Sequence, residues 1–280
     1  MKKIQYIFIT LTISLFLTGY AFAESCRLKY RFTPGQKWLC TMSNQSEGSI
    51  SKKKKKNRSK TIIEYHIKKS NKKGWVILEG KILSTGRKRS RIDLSKITYA
   101  ADVHKSGEIR NIRYSGDYMP DFGDKASQIP EATMKMMRQS FKMLPEFWKH
   151  SVYWFPEVPE HKLEIGDEFE YKRKMGIKTG TSSMQVKSVN KQIFILEDIS
   201  EGLAWFTVKE KSVTKGTAAM GSNTKTKSAG KGDAVFDLEL GMWAEFTEKT
   251  KLNMDMGALT GAARKNVKAR TVIKYEMEPQ

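Results

Sequence analysis

The chain has 280 residues, with 51 Lys or Arg against 30 Asp or Glu and a formal net charge of +21 at pH 7. Two cysteines are too few for a disulfide-dense scaffold, and with only four histidines they leave no set for a closed zinc site. Hydrophobic residues make up 39% of the chain, enough for globular folding in a length that suits two modest cores better than one.

Lys2 and Lys3 precede an uncharged, mostly apolar run from Ile4 to Thr18, and Ala21-Phe22-Ala23 follows as a small-x-small site. That order is the form of a cleavable export signal, and the run is shorter than the ~20 residues a spanning helix needs. Residues 1–23 are therefore read as a signal peptide, cut near Ala23, and the mature protein is expected in the periplasm or secreted. Export permits a disulfide between Cys26 and Cys40, worth roughly 3 kcal/mol for a loop of this length. A hairpin turn at 33–36 would not set the two cysteines opposite each other, so bridged and free thiols both remain open.

Two stretches share a pattern of apolar residue, two spacers, Gly, two polar residues and an aromatic: Phe32–Trp38 and Leu163–Phe169. A second similarity aligns Asn71–Glu79 with Asn190–Glu197, and a third aligns Asp102…Gly107-Glu108-Ile109 with Asp237…Gly241-Met242-Trp243. The common order predicts a duplicated chain. The shifting offsets place about twelve extra residues in the first half, around Lys52–Lys56, and a second insertion around Lys215–Lys231. Alternation at Ile63, Tyr65 and Ile67, at Phe169 and Tyr171, and at Phe236 and Leu238 predicts strands, with Thr271–Tyr275 as a last one.

One helix is expected between the halves. Pro130 suits its first turn, Glu131 suits the positive end of its dipole, and Pro145 should end or kink it. Met134, Met137, Phe141, Leu144 and Trp148 form its apolar stripe, read as core or as a pliable lid over a cavity. The fold class predicted is mainly β: two related antiparallel half-barrel or clam units joined by one amphipathic helix. The boundaries are 1–23 for the signal, 24–128 for the first unit, 129–156 for helix and linker, and 157–280 for the second unit.

Charge is concentrated at 52–91, where 16 Lys or Arg face two acids. Lys52, Lys53, Lys54, Lys55 and Lys56, with Arg87, Lys88, Arg89 and Arg91, are expected at loop tips that share one end of a meander. Such a field attracts anionic lipid or lipopolysaccharide surfaces. Nucleic acid is the less fitting partner, because stacking aromatics are not interleaved with the basic residues. No phosphate loop, nucleophile elbow or zinc-helix motif occurs, so neither a cofactor nor a metal is expected, and no catalytic residue is assigned.

The turn-Gly-aromatic blocks and the Phe155-Pro156-Glu157-Val158-Pro159…Ile165-Gly166-Asp167-Glu168-Phe169 stretch resemble a family of exported bacterial proteins of unknown function with paired β-rich halves. More distantly, the arrangement is similar to the half-barrel clams of periplasmic lipid and lipoprotein carriers. That resemblance implies a curved sheet around an apolar cavity, and with it a non-catalytic envelope binding or carrier protein for an apolar or anionic lipid-like ligand. A structural or interaction component of the envelope, and an enzyme with dispersed catalytic residues, are the competing readings.

Overall fold

The computed structural model describes residues 24–50, 53–70, 72–85, 94–116, 129–178, 185–217, 223–256 and 265–280. The expected signal peptide, Lys52, and the basic cluster Arg87, Lys88, Arg89 and Arg91 lie outside these residues. Alternating inward apolar and outward polar residues give long strands joined by tight turns. The first half forms β2 (Lys37–Ile50), β3 (Lys53–Lys69), β4 (Trp75–Ser84), β5 (Thr98–His104) and β6 (Ile109–Ser115). The second forms β8 (Glu168–Lys178), β9 (Gln185–Ser200), β10 (Leu203–Thr217), β11 (Asn223–Asp237), β12 (Met242–Met256) and β13 (Lys265–Pro279). A short pair, β1 (Ser25–Cys26) with β7 (Leu163–Glu164), stands apart.

The two halves are not separate sheets, as the sequence had suggested. β13 pairs antiparallel with β2, and this seam merges both meanders into one sheet of 11 strands, ordered β6-β5-β4-β3-β2-β13-β12-β11-β10-β9-β8. The sheet curls. Phe194 on β9 and Trp243 on β12 are three strand positions apart, about 14 Å in a flat sheet, yet their ring centroids are 5.1 Å apart. The edge strands β6 and β8 have no pairing with each other. Helix α1 (Glu131–Val152) packs against both and bridges the opening.

Pro145 neither ends α1 nor sits at its boundary: the helix continues to Val152, and Pro130 stands at the N-cap position. From the last residue of the helix onward, residues 152–156 are buried inside the concavity. Three tyrosines hold this segment. The Tyr65 hydroxyl donates to the Val152 carbonyl, Tyr153 donates to the Leu78 carbonyl at 2.8 Å, and Tyr30 donates to the Pro156 carbonyl at 2.9 Å. One end of the sheet is thereby filled with side chains, among them Trp38, Tyr99, Phe155, Phe236 and Trp243.

The matched turns share one geometry. Gly35 and Gly166 both have φ +94°, in the left-handed region that only glycine enters freely. The Gly35 amide donates to the Ile67 carbonyl at 2.7 Å and the Gly166 amide to the Leu196 carbonyl at 2.8 Å, so each turn docks on the second strand of its half.

Cys26 and Cys40 are both buried and free. Cys26 pairs in register with Leu163 on β7, whereas Cys40 pairs with Ile63 and Met277, so each thiol belongs to a different part of the core. Burial raises both thiols, Cys40 to about 12. At pH 8 the thiolate fraction of Cys40 falls about a thousandfold relative to an ordinary thiol. Iodoacetamide should therefore label native protein at neither cysteine within hours and label both within minutes in guanidinium. Rapid native labelling would contradict this packing.

Candidate ligand-binding cavity

Toward the other end of the sheet the interior turns polar. The inward parity of β10 runs Ala204, Phe206, Val208 and then Glu210; that of β12 runs Phe246, Glu248, Thr250. These strands are separated by β11, whose inward positions there are Gly230 and Gly232. A Cβ on Gly230 would stand 2.9 Å from Thr250 Oγ1 and 3.0 Å from Glu248 Oε1. The missing side chain lets β10 and β12 meet across β11.

The result is a buried carboxyl pair. Glu210 is 7% exposed and Glu248 4%. Thr250 Oγ1 contacts Glu210 Oε2 at 3.2 Å and also contacts Glu248 Oε1. Asn190 Nδ2 donates to Glu210 Oε1 at 2.6 Å, and Gln192 Nε2 donates to Glu248 Oε2 at 3.1 Å. A hydroxyl has one proton to give, so a second proton must reside on the pair. Burial, then the hydrogen bond and charge of Glu248, push Glu210 up to about 8. Two carboxyl groups in contact hold one proton between them at neutral pH.

Beside the pair lies a cavity of about 330 Å³. Its apolar wall is built from Trp154, Phe246 and Tyr275. Trp154, carried in by the segment after α1, stacks on Tyr275 with centroids 5.1 Å apart and contacts Phe246 at 4.3 Å. Asn190, Gln192, Glu210, Glu248 and Thr250 make its polar wall, with Arg173 adding a cation. The Oδ1 atom of Asn190 is buried and has no donor among the described residues. The cavity thus presents ring faces, carboxylates and an unfilled acceptor to whatever occupies it.

The residues expected to matter fall elsewhere. Met134 on α1 is buried and Met137, Phe141 and Trp148 are half-buried, but none lines this cavity; Leu144's side chain lies outside the described ones. Trp154, six residues beyond the stripe, lines the cavity. Lys53–Lys56 are not a loop tip: they lie in β3, opposite Ile50, Ser49, Gly48 and Glu47 of β2. Neither glutamate was singled out from the sequence. The available signal was parity, since each acid occupies the inward position after a buried aromatic or aliphatic residue.

No family model matches the chain, and no curated protein matches it. Among solved structures, the beta domain of the Bordetella autotransporter BrkA is 9% identical with a TM-score of 0.40, covering 87% of this chain and 99% of that one. Neisserial surface protein A is 8% identical with a TM-score of 0.24, over 86% of this chain and 95% of that one. Ail of Yersinia pestis is 8% identical with a TM-score of 0.22, over 88% of this chain and all of that one. The expected location was periplasmic or secreted, whereas these neighbours are outer-membrane barrel proteins, and no β-clam carrier is among them. This chain is mainly β and antiparallel, with its 11-stranded sheet open between β6 and β8. Among the described residues no helix is long and apolar enough to cross a membrane. The strands differ from a lipid-facing wall as well: outward positions of β10 and β11 include Lys209, Lys211, Lys215, Lys225, Lys227 and Lys231, all exposed. Each lysine at a bilayer midplane costs about 2–4 kcal/mol.

Proposed function

We propose that the chain is a non-catalytic envelope binding protein, and that the cavity beside Glu210 and Glu248 holds its ligand. The observation that carries this reading is the juxtaposition of three aromatic rings with a carboxyl pair around about 330 Å³ of open space, within the size range of small-molecule sites. The ligand is small, with an apolar body against Trp154 and a hydrogen-bond-donating head toward the carboxylates and Asn190. A lipid with an anionic head fits this lining poorly, because its charge would face two acids.

Octylamine and octanoate separate the possibilities, with Trp fluorescence as the readout. Octylamine should perturb Trp154 emission and bind at least tenfold more tightly than octanoate. Glu248→Gln should weaken octylamine roughly tenfold, the worth of one charge-assisted hydrogen bond. If neither probe binds, or octanoate binds as well as octylamine, the cavity reading fails. The filled aromatic end would then favour a structural component of the envelope.

A further inference from the structure

The outward face of the second half carries charge in a pattern that the linear sequence hides. In the register of the sheet, Lys172, Lys191 and Lys211 stand side by side on β8, β9 and β10. Two residues toward the short turns, Lys209, Lys231 and Lys249 line up on β10, β11 and β12. On the other side, nearer the hairpin tips, Lys187, Lys215 and Lys225 form a third row. Except for Lys191, which is half-buried, all of these lysines are exposed. Among the described residues in these rows, Lys191 alone has an acid partner, Glu170.

Like charges placed directly opposite across strands destabilise a sheet. Here they recur in three rows with almost no acids between them. Most acids of the same face collect toward the short turns, at Glu168, Asp233 and Glu245; Glu170 pairs with Lys191, and Asp255 stands opposite Lys225 in the third row. Strands are about 4.8 Å apart and alternate residues about 6.8 Å apart, so the array spans roughly 20 Å in both directions. This is a two-dimensional lattice of ammonium groups, without a groove to guide a linear polyanion. Neither do these rows hold the aromatic side chains on which bases stack.

We infer that the outer wall of β8–β12 is a docking surface for an anionic phospholipid leaflet. The partner follows from the dimensions: a leaflet presents phosphate groups in two dimensions at a comparable spacing, and lysine side chains are long enough to follow the curvature of the sheet. Each near-surface lysine strengthens attachment about fivefold, and the attraction weakens as salt shortens the screening length to about 8 Å at physiological ionic strength. The site is separate from the interior cavity and does not depend on its ligand.

The test uses the full chain with sedimented vesicles. Phosphatidylglycerol vesicles at low salt should bind the protein, and phosphatidylcholine vesicles should not. A variant carrying Lys209→Gln, Lys211→Gln, Lys231→Gln and Lys249→Gln should bind phosphatidylglycerol several hundredfold more weakly, with a melting temperature no lower than wild type and unchanged octylamine binding. A second variant with Lys53, Lys54, Lys55 and Lys56 changed to Gln should keep binding within a few-fold. The inference is overturned if wild type ignores phosphatidylglycerol, if the wall variant binds as wild type does, or if the second variant loses as much as the first.

Discussion

Trp243→Ala should lower the unfolding free energy by about 4 kcal/mol, the cost of emptying a large aromatic site in a closed core. Trp243 is 2% exposed and meets Phe194, Phe206 and Phe236 with centroids 5.1, 5.5 and 5.1 Å away. Its indole N–H donates to the Tyr30 hydroxyl at 2.8 Å, and that hydroxyl donates onward to Pro156. One side chain therefore ties the curled sheet to both segments that fill its end. Trp243→Phe keeps most of the apolar contact but leaves Tyr30 without its donor, so it should cost less, about 1–2 kcal/mol. Trp205→Ala is the comparison: Trp205 is 43% exposed, and its loss should stay within about 0.5 kcal/mol. Urea unfolding measures all three. Equal losses at 243 and 205 would mean that the aromatic end is not the packed core described.

A pH dependence of comparable size should come from Glu210. Its folded value, about 8, lies above the ordinary 4.5, so the folded protein keeps a proton that the unfolded chain gives up. The contribution to stability is complete below about 4.5 and is lost as pH rises toward and through 8. Unfolding free energy from this group should decline by about 5 kcal/mol across that window. Glu210→Gln presents an amide N–H where the carboxyl proton sat, and should abolish the decline. The variant should be the less pH-sensitive protein and, at pH 8.5, the more stable one. A wild-type profile that is flat or rising between pH 5 and 8, relative to the Gln variant, would remove the shared proton from the account.

Parts of this were legible in the chain because local chemistry determined them. The turns at Gly35 and Gly166 needed a residue tolerant of positive φ before an aromatic, and both are found in the same hydrogen-bonded setting. The third similarity was also sound: Gly107 and Gly241 each close a hairpin, between β5 and β6 and between β11 and β12. The second similarity was one strand out of step. Trp75 opens the third strand of its half, as Leu203 does in the other, with Gly74 and Gly202 at the matching turns. Ile193–Leu196 belongs to the second strand. Common strand composition produced that match, and the supposed insertion around Lys52–Lys56 arose from it. Those lysines were expected at a loop tip; lysine is depleted in strands, but pairing with β2 overrides that weak preference. The cavity was illegible for a different reason. Its residues come from six strands and the segment after α1, and they converge only once the sheet has curled.

The seam between β2 and β13 has a temporal consequence. Every other pairing in the large sheet joins strands that are neighbours in sequence, each able to form as soon as its hairpin has been made. The seam joins Trp38 to Pro279 and Ser49 to Lys268, from opposite ends of the chain, and must wait for the most improbable encounter in the molecule. Until then the protein is two meanders with raw edges at β2 and β13, and an unpaired edge is where strands from other copies attach. The interval before that last zipper closes is when the chain is most exposed to aggregation and most in need of an escort.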